Sequence, residues 1–310
     1  MTWHRISRVA FILLLGGLAT ACASLARQPG STRVASATPT VPPAATAGSA
    51  SRSVVSRAGA GSDVSEIGDQ PSDPAGQAIV YGSSIENRPL VAYRFGSGPI
   101  ARALIGGIHG GYEWNTTALM SKTLEHLAAD PNLVPPDLTL YVIPLANTDG
   151  AAAGADRVEG RMNANGVDLN RNWDYQWQPT ATHGSWPVSA GARPFSEPET
   201  AALRDFILDH GIEAAIFYHS AAAAVFSGAG EDASETVALA RFIAAATGYR
   251  YAPEGVPGQI TTGNAIDWLS QQGIAAAEAE LSTHEVLDWE PNLRGILTFL
   301  NWNLRDTDDD

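Results

Sequence analysis

The 310-residue chain has a single cysteine, Cys22, so it can form no intramolecular disulfide and no cysteine-based zinc cage. Basic residues are also scarce. Nineteen Lys and Arg stand against 33 Asp and Glu, a net charge of -14, and Lys122 is the only lysine. That balance excludes nucleic acid or an anionic membrane surface as the main partner. Glycine (30) and proline (19) are near average usage, so the chain is neither collagen-like nor wholly disordered. No apolar run is long enough to span a membrane; the run from Val9 to Leu18 is too short. With 45% hydrophobic and 17% charged residues, the chain can bury the core of one large domain or two small ones.

The amino-terminal run reads as an export signal over residues 1–22. Arg5 and Arg8 precede it, and Leu18-Ala19-Thr20-Ala21-Cys22 follows it. The cysteine directly after small residues resembles a bacterial lipoprotein cleavage box, while Ala19-Thr20-Ala21 also fits an ordinary signal-peptidase site. From Ala23 to about Gly76 the chain is Ser, Ala, Thr, Pro and Gly, a composition that cannot offset its ordering entropy. A disordered tether of about 54 residues is expected there, roughly 40 Å from end to end.

From Gln77 to about residue 305 the pattern is that of a folded domain, followed by an acidic tail over 306–310. Val80-Tyr81 and Leu90–Phe95 read as a strand pair. Apolar runs at Ala103–Ile108, Leu138–Leu145, Ile212–Tyr218 and Ile274–Leu281 suit strands buried on both faces. Helical patterns lie between and after them, at Asn115–Ala129, Glu199–His210, Ser234–Thr247, Asn264–Gln272 and Pro291–Leu304. Ser196-Glu197-Pro198-Glu199 reads as a capping box, and His210-Gly211 as a helix stop. The alternation predicts an α/β fold, a mixed and mostly parallel sheet sandwiched by helices, with its site at the strand carboxyl ends.

Residues able to do chemistry gather at those ends. His109 follows one strand in Gly106-Gly107-Ile108-His109-Gly110-Gly111-Tyr112-Glu113-Trp114, and His219 ends another in Ile216-Phe217-Tyr218-His219-Ser220. Two imidazoles and a carboxylate that leave a position open for water make a catalytic site for one Zn²⁺. Between them, Arg161 and Arg171 flank Asn163-Ala164-Asn165-Gly166-Val167-Asp168-Leu169-Asn170, an Asn-Gly turn that presents two guanidinium forks able to clamp a carboxylate or an oxyanion. Glu278-Ala279-Glu280 puts two acids on one face of an apolar strand, where an unpaired acid is costly. His126, His183 and His210 read as ordinary helix or loop residues, and His284 as a candidate for the site rim.

The order of these motifs resembles the zinc metallocarboxypeptidase family from about Val80 to Leu300, and most of all its small bacterial members, which include murein-peptide amidases. The resemblance implies the following roles. His109, Glu113 and His219 hold zinc, and Asp168 accepts the outer N–H of His109. Asn170 and Arg171 hold the substrate's terminal carboxylate. Arg161 polarises the scissile carbonyl, Glu280 is the general base, and Ile266 forms the floor of an apolar side-chain pocket. Two departures stand out. Glu113 is four residues beyond His109 where the family has three, which predicts a one-residue bulge. The family's lid tyrosine counts onto Gln259, leaving Tyr249 or Tyr251 as substitutes.

The expected activity is hydrolysis of a peptide bond beside a free carboxylate by an exported enzyme, its substrate a peptide or a cell-wall peptide. A murein stem-peptide amidase and an N-acyl amino acid deacylase are the alternatives. The lipoprotein reading places the domain outside the cytoplasm on a membrane anchor. It is tested by detergent partitioning: the native protein enters the detergent phase, and Cys22→Ser releases it or blocks its processing. A native protein that is fully soluble, with Cys22 removed or unmodified, refutes it.

Overall fold

The apolar runs become the strands of one eight-stranded sheet. A computed structural model describes residues 76–230, 233–253, 255 and 261–303; the expected signal with Cys22, the tether to residue 75, Gln259 and the acidic tail lie outside them. In chain order the elements are β1 (Gln77–Ser83), β2 (Pro89–Gly96), β3 (Ile100–Ile105), α1 (Trp114–Ala129), β4 (Leu138–Ile143), α2 (Thr148–Ala153), β5 (Thr180–His183) and β6 (Trp186–Ser189). There follow α3 (Pro198–Asp209), β7 (Ile212–Ser220), β8 (Ala224–Ser227), α4 (Ser234–Thr247), β9 (Arg250–Tyr251), α5 (Ala265–Gln271), β10 (Ala275–Leu281) and α6 (Trp289–Leu300).

The strand order is β1-β2-β4-β3-β7-β10-β8-β9, with β5 and β6 forming a separate hairpin. β4, β3, β7 and β10 run parallel, and β1, β2 and β8 join antiparallel to their inner neighbours, so the sheet is mixed as expected. β3, β4 and β7 are buried almost throughout, because helices cover both faces. On one face, α3 and α5 supply Leu203, Phe206, Ile207, Ile266, Trp268 and Leu269. On the other, α1, α4 and α6 supply residues such as Leu119, Leu124, Leu239, Ile243 and Phe299.

β3 lies between β4 and β7, so the chain leaves it in opposite directions and a crevice opens beyond its carboxyl end. At its other end, buried Arg102 reaches across to α6. Its guanidinium donates to the carbonyls of Phe299, Leu300 and Trp302, capping the last turn of that helix.

Several boundaries differ from expectation. β3 stops at Ile105, and Gly106–Ile108 leave the sheet. A Cβ on Gly106 would come within 2.9 Å of Thr116 O, and Gly107 adopts φ +61°. The last helix starts at Trp289 and ends at Leu300, not Leu304. Ser196-Glu197-Pro198-Glu199 is no capping box, since the cap residue Glu197 makes no side-chain bond to the helix amides. Its acids instead hold the polar loop. Glu197 and Glu199 both accept from Asn163 Nδ2 (2.8 and 3.1 Å), and Glu197 also accepts from Asn165 Nδ2 (2.8 Å).

Candidate active site

Three side chains meet where β3 and β7 end. His219 lies within the final two residues of β7, and His109 sits four residues past β3, on the loop that enters α1. Glu113 is the residue that caps α1. The extra residue between His109 and Glu113 is taken up in a run of turns. Gly110 has φ +50°, and a Cβ there would fall 2.6 Å from Gly160 O and 2.7 Å from Ala151 N. The loop is fastened by Thr116, whose Oγ1 donates to Glu113 O (2.8 Å) and accepts from Gly107 N (3.0 Å).

The bulge therefore delivers Glu113 to the histidines. His109 Nδ1 lies 2.8 Å from Glu113 Oε1, His219 Nδ1 lies 3.1 Å from Glu113 Oε2, and the two Nδ1 atoms are 3.1 Å apart. All three residues are buried, and together they form a group able to hold a metal ion. A tetrahedral zinc with ligands at about 2.1 Å needs ligand-to-ligand edges of roughly 3.4 Å, close to those found. The donor set and its spacing fit zinc. Burial disfavours the charge on Glu113, but His109 and His219 outweigh it and hold its pKa well below the usual carboxylate range. Burial likewise opposes the charged form of His219, yet Glu278 and Glu113 raise its pKa to about 9.

The loop between the arginines wraps the same centre. Gly166 turns it at φ +71°, and Asn163 Oδ1 accepts from Asn165 N and Val167 N. Asp168 has no exposed surface. Its Oδ1 accepts from Asn170 N (3.0 Å) and lies 3.2 Å from His109 Nε2, while its Oδ2 accepts from Arg161 Nε (2.9 Å). Burial works against this charge, but Arg161, His109 and Arg171 keep the pKa well below the ordinary value. Arg161 also extends Nη1 to within 3.4 Å of Glu113 Oε1.

Asn170 Oδ1 accepts from Ala265 N (2.9 Å), which turns its Nδ2 toward His219 Nε2 (3.4 Å) and Glu278 Oε2 (3.5 Å). Arg171 is buried, and among the described residues its guanidinium contacts only backbone carbonyls. Nε and Nη2 donate to Thr182 O (3.2 and 3.1 Å), and Nη1 donates to Asn170 O (2.6 Å). Three of its five donors are thus used, and no carboxylate neutralises it at contact distance. Thr182 belongs to the β5–β6 hairpin, which went unread in the sequence.

A cavity of about 530 Å³ joins these residues; His109, Glu113, Arg161, Asn170, Arg171, His219, Ile266 and Glu280 all line it. Glu280 stands beside His219 in the β7–β10 register, and its Oε2 is buried with no partner among the described residues. Burial, then the Glu278 and Glu113 carboxylates, push its pKa well above the carboxylate range, with His219 and Arg161 pulling the other way. A divalent cation nearby pulls in that same downward direction.

The remaining aromatic and histidine residues sort plainly. Tyr249 donates its hydroxyl to Asp288 (2.8 Å), Tyr251 pairs with Ser227 (3.3 Å), and neither lines the cavity, so neither replaces a lid tyrosine. His284 does line it, with Nδ1 2.9 Å from Ser220 Oγ. His183, read from sequence as a plain loop residue, lines it too, carried there by β5; burial and the Arg161 and His109 charges depress its pKa to about 4. His126 rests on Trp289, and His210 on Phe206 and Tyr141.

Residues 75–303 match the family described as zinc carboxypeptidase. The chain belongs to the zinc carboxypeptidase family. That family is zinc-dependent, in keeping with the His109, Glu113 and His219 group. Carboxypeptidase A2 of Rattus norvegicus is 30% identical over 229 residues, covering 63% of this chain and 54% of the relative. The chain spans about half the length of the curated carboxypeptidases it matches. Among solved structures, bovine thrombin-activatable fibrinolysis inhibitor aligns with TM-score 0.63 at 21% identity, over 73% of this chain and 89% of that one. Murein-tripeptide amidase MpaA from Escherichia coli O157 aligns with TM-score 0.55 at 23% identity, over 76% of this chain and 97% of that one. These likenesses establish the shared fold.

If the three side chains are the metal ligands, His109→Ala and His219→Ala each abolish zinc retention, and Glu113→Ala lowers it sharply, as read by metal analysis after dialysis. Full zinc occupancy in Glu113→Ala would remove that residue from the ligand set.

Proposed function

We propose that the chain is an exported zinc metallocarboxypeptidase that hydrolyses the peptide bond beside a free terminal carboxylate. The observation that carries this reading is Arg171, a buried guanidinium that among the described residues is held only by backbone carbonyls, on the wall of the cavity that holds the His-Glu-His group. A buried cation with unused donors suits a planar anion from the substrate. Export rests on the amino-terminal sequence pattern, with Cys22 as the point of lipid attachment.

In this reading Arg171 and Asn170 Nδ2 grip the terminal carboxylate, which orients the last residue with its side chain toward Ile266. Zinc, when held by His109, Glu113 and His219, lowers the pKa of a water to about 7 and polarises the carbonyl. Arg161, fixed by Asp168, donates to the carbonyl oxygen as negative charge develops there. Asp168 beside His109 Nε2 fixes the tautomer that turns Nδ1 toward Glu113 and His219. Glu280 takes the proton of the attacking water and passes it to the leaving amine, and its raised pKa suits a base that must also act as an acid.

A stem peptide of the cell wall is the second reading of the substrate. It is supported by the alignment that covers nearly the whole of the murein-tripeptide amidase, and a diaminopimelate residue also offers a free carboxylate beside the bond. Digestion of a mixed peptide and muropeptide pool, read by mass spectrometry, separates the two.

Glu280→Gln is expected to keep its zinc and lose at least about a hundredfold in kcat, as befits a proton-transfer group. A variant that retains near-native turnover excludes Glu280 as the base.

Selectivity for the chain end tests the reading as a whole. Free-acid peptides should be cut at least ~10²-fold faster than their C-terminal amides, since a site built around Arg171 leaves that cation unpaired when the end is blocked. Arg171→Ala should erase most of this discrimination, whereas Arg161→Ala should slow acid and amide alike. Equal cleavage of both by the native protein would indicate an endopeptidase or a deacylase instead.

A further inference from the structure

The proposed chemistry uses one of the two acids that β10 turns toward the cavity and leaves the other without a task. Glu278 lies two residues before Glu280 on the same face, between Phe217 of β7 and Phe226 of β8 in register. It lines the cavity, and its side chain keeps 17% exposure. Its protein contacts are long: Oε2 is 3.4 Å from His219 Nε2 and 3.5 Å from Asn170 Nδ2. No arginine or lysine among the described residues forms an ion pair with it. The other acid on this wall is already satisfied, since Asp267 accepts from Ala229 N (2.7 Å) and from Asn264 Nδ2 (2.8 Å). Glu278 is therefore the acid that a ligand in the cavity would meet.

Its placement constrains what that ligand is. Glu278 adjoins Asn170, the amide that faces the substrate's terminal carboxylate, so an acidic side chain beside that carboxylate would bring like charges together. An apolar side chain would displace water from Glu278 and leave its charge poorly solvated. Phe226 and Ile266 line the same cavity and offer an apolar surface. An apolar patch beside an acid that no arginine or lysine among the described residues pairs suits an aliphatic stem that ends in a cation.

The geometry points to Glu278 as a specificity-determining residue that selects a terminal residue with a cationic side chain, such as lysine, arginine or another diamino acid. The inference rests on the carboxypeptidase reading and deepens it. Ile266 and Phe226 take the methylenes, Glu278 takes the ammonium or guanidinium, and Arg171 with Asn170 takes the carboxylate. One zwitterionic residue thus supplies a partner to both Arg171 and Glu278. The apolar floor expected at Ile266 becomes the lining for a stem whose charged end lies elsewhere.

Lysine and norleucine differ at the end of the side chain, where one carries an ammonium and the other a methyl group, and so isolate the charge. The zinc-loaded protein and its Glu278→Gln variant are assayed on two N-acylated dipeptides ending in these residues, with metal content measured on each. The native protein should favour lysine, and Glu278→Gln should lower the lysine-to-norleucine ratio of kcat/KM by about 10- to 100-fold, mainly through KM. Glu278→Asp should keep part of the preference. Without turnover, free lysine should raise the melting temperature of the native protein more than norleucine does, and the difference should vanish in Glu278→Gln. An effect exerted through His219 falls on both substrates and leaves the ratio unchanged, so an unchanged ratio overturns the inference, as does a native preference for norleucine. Cleavage of both peptides without preference overturns the specificity alone. Failure of the zinc-loaded native protein to cut either peptide overturns the carboxypeptidase reading, and this inference with it.

Discussion

The carboxylate of Asp168 has no solvent to fall back on, and the site is arranged around satisfying it. One oxygen serves the 3-10 turn at Asn170 and stands beside His109; the other takes Arg161. A single buried charge thereby fixes the His109 ring, the Arg161 guanidinium and the turn that presents Asn170 and Arg171. Removing it would leave Arg161 buried without its main counter-charge, the situation in which broken ion pairs cost most. Glu197 and Glu199 extend the same logic outward, holding the loop through Asn163 and Asn165 rather than through the metal group.

Much of this was legible in the sequence, for identifiable reasons. Strands buried on both faces must be continuous apolar runs, so β3, β4, β7 and β10 were visible, and with them the strand ends where His109, His219 and Glu280 sit. Asp168, Asn170 and Arg171 were legible through a polar motif with a turn in it. Family membership accords with that reading, whereas the particular duties of these residues rest on the geometry and the experiments above.

What escaped has a common cause. The hairpin β5–β6 is short and half-exposed and contains Pro187, so no periodicity marks it. Yet it provides Thr182 O, the acceptor that holds Arg171, and it brings His183 to the cavity wall. A backbone carbonyl carries no signature in the identity of its residue, so support of this kind is invisible until the chain is folded. The same holds for Gly106, whose role is the room it leaves for Met120, Thr116 and Pro144. Ser196-Glu197-Pro198-Glu199 misled in the opposite way: it has the spelling of a helix cap, while its carboxylates are spent on a loop some thirty residues earlier.

The bond set that Arg102 makes with the last turn of α6 bears on how the molecule comes into being. Arg102 sits on a central strand, and its acceptors lie 197 to 200 residues downstream. Until residues 299–302 exist, a guanidinium inside the core lacks the carbonyls it binds, and the apolar cluster that holds Ala275, Ala277 and Ala279 lacks Phe299 and Leu300. A growing polypeptide therefore leaves this layer of the core incomplete until the last helix has been made. The strand with Glu280 and the turn that holds Arg102 arrive last, so the wall of the cavity that Glu280 lines is completed only after the rest of the domain has been made.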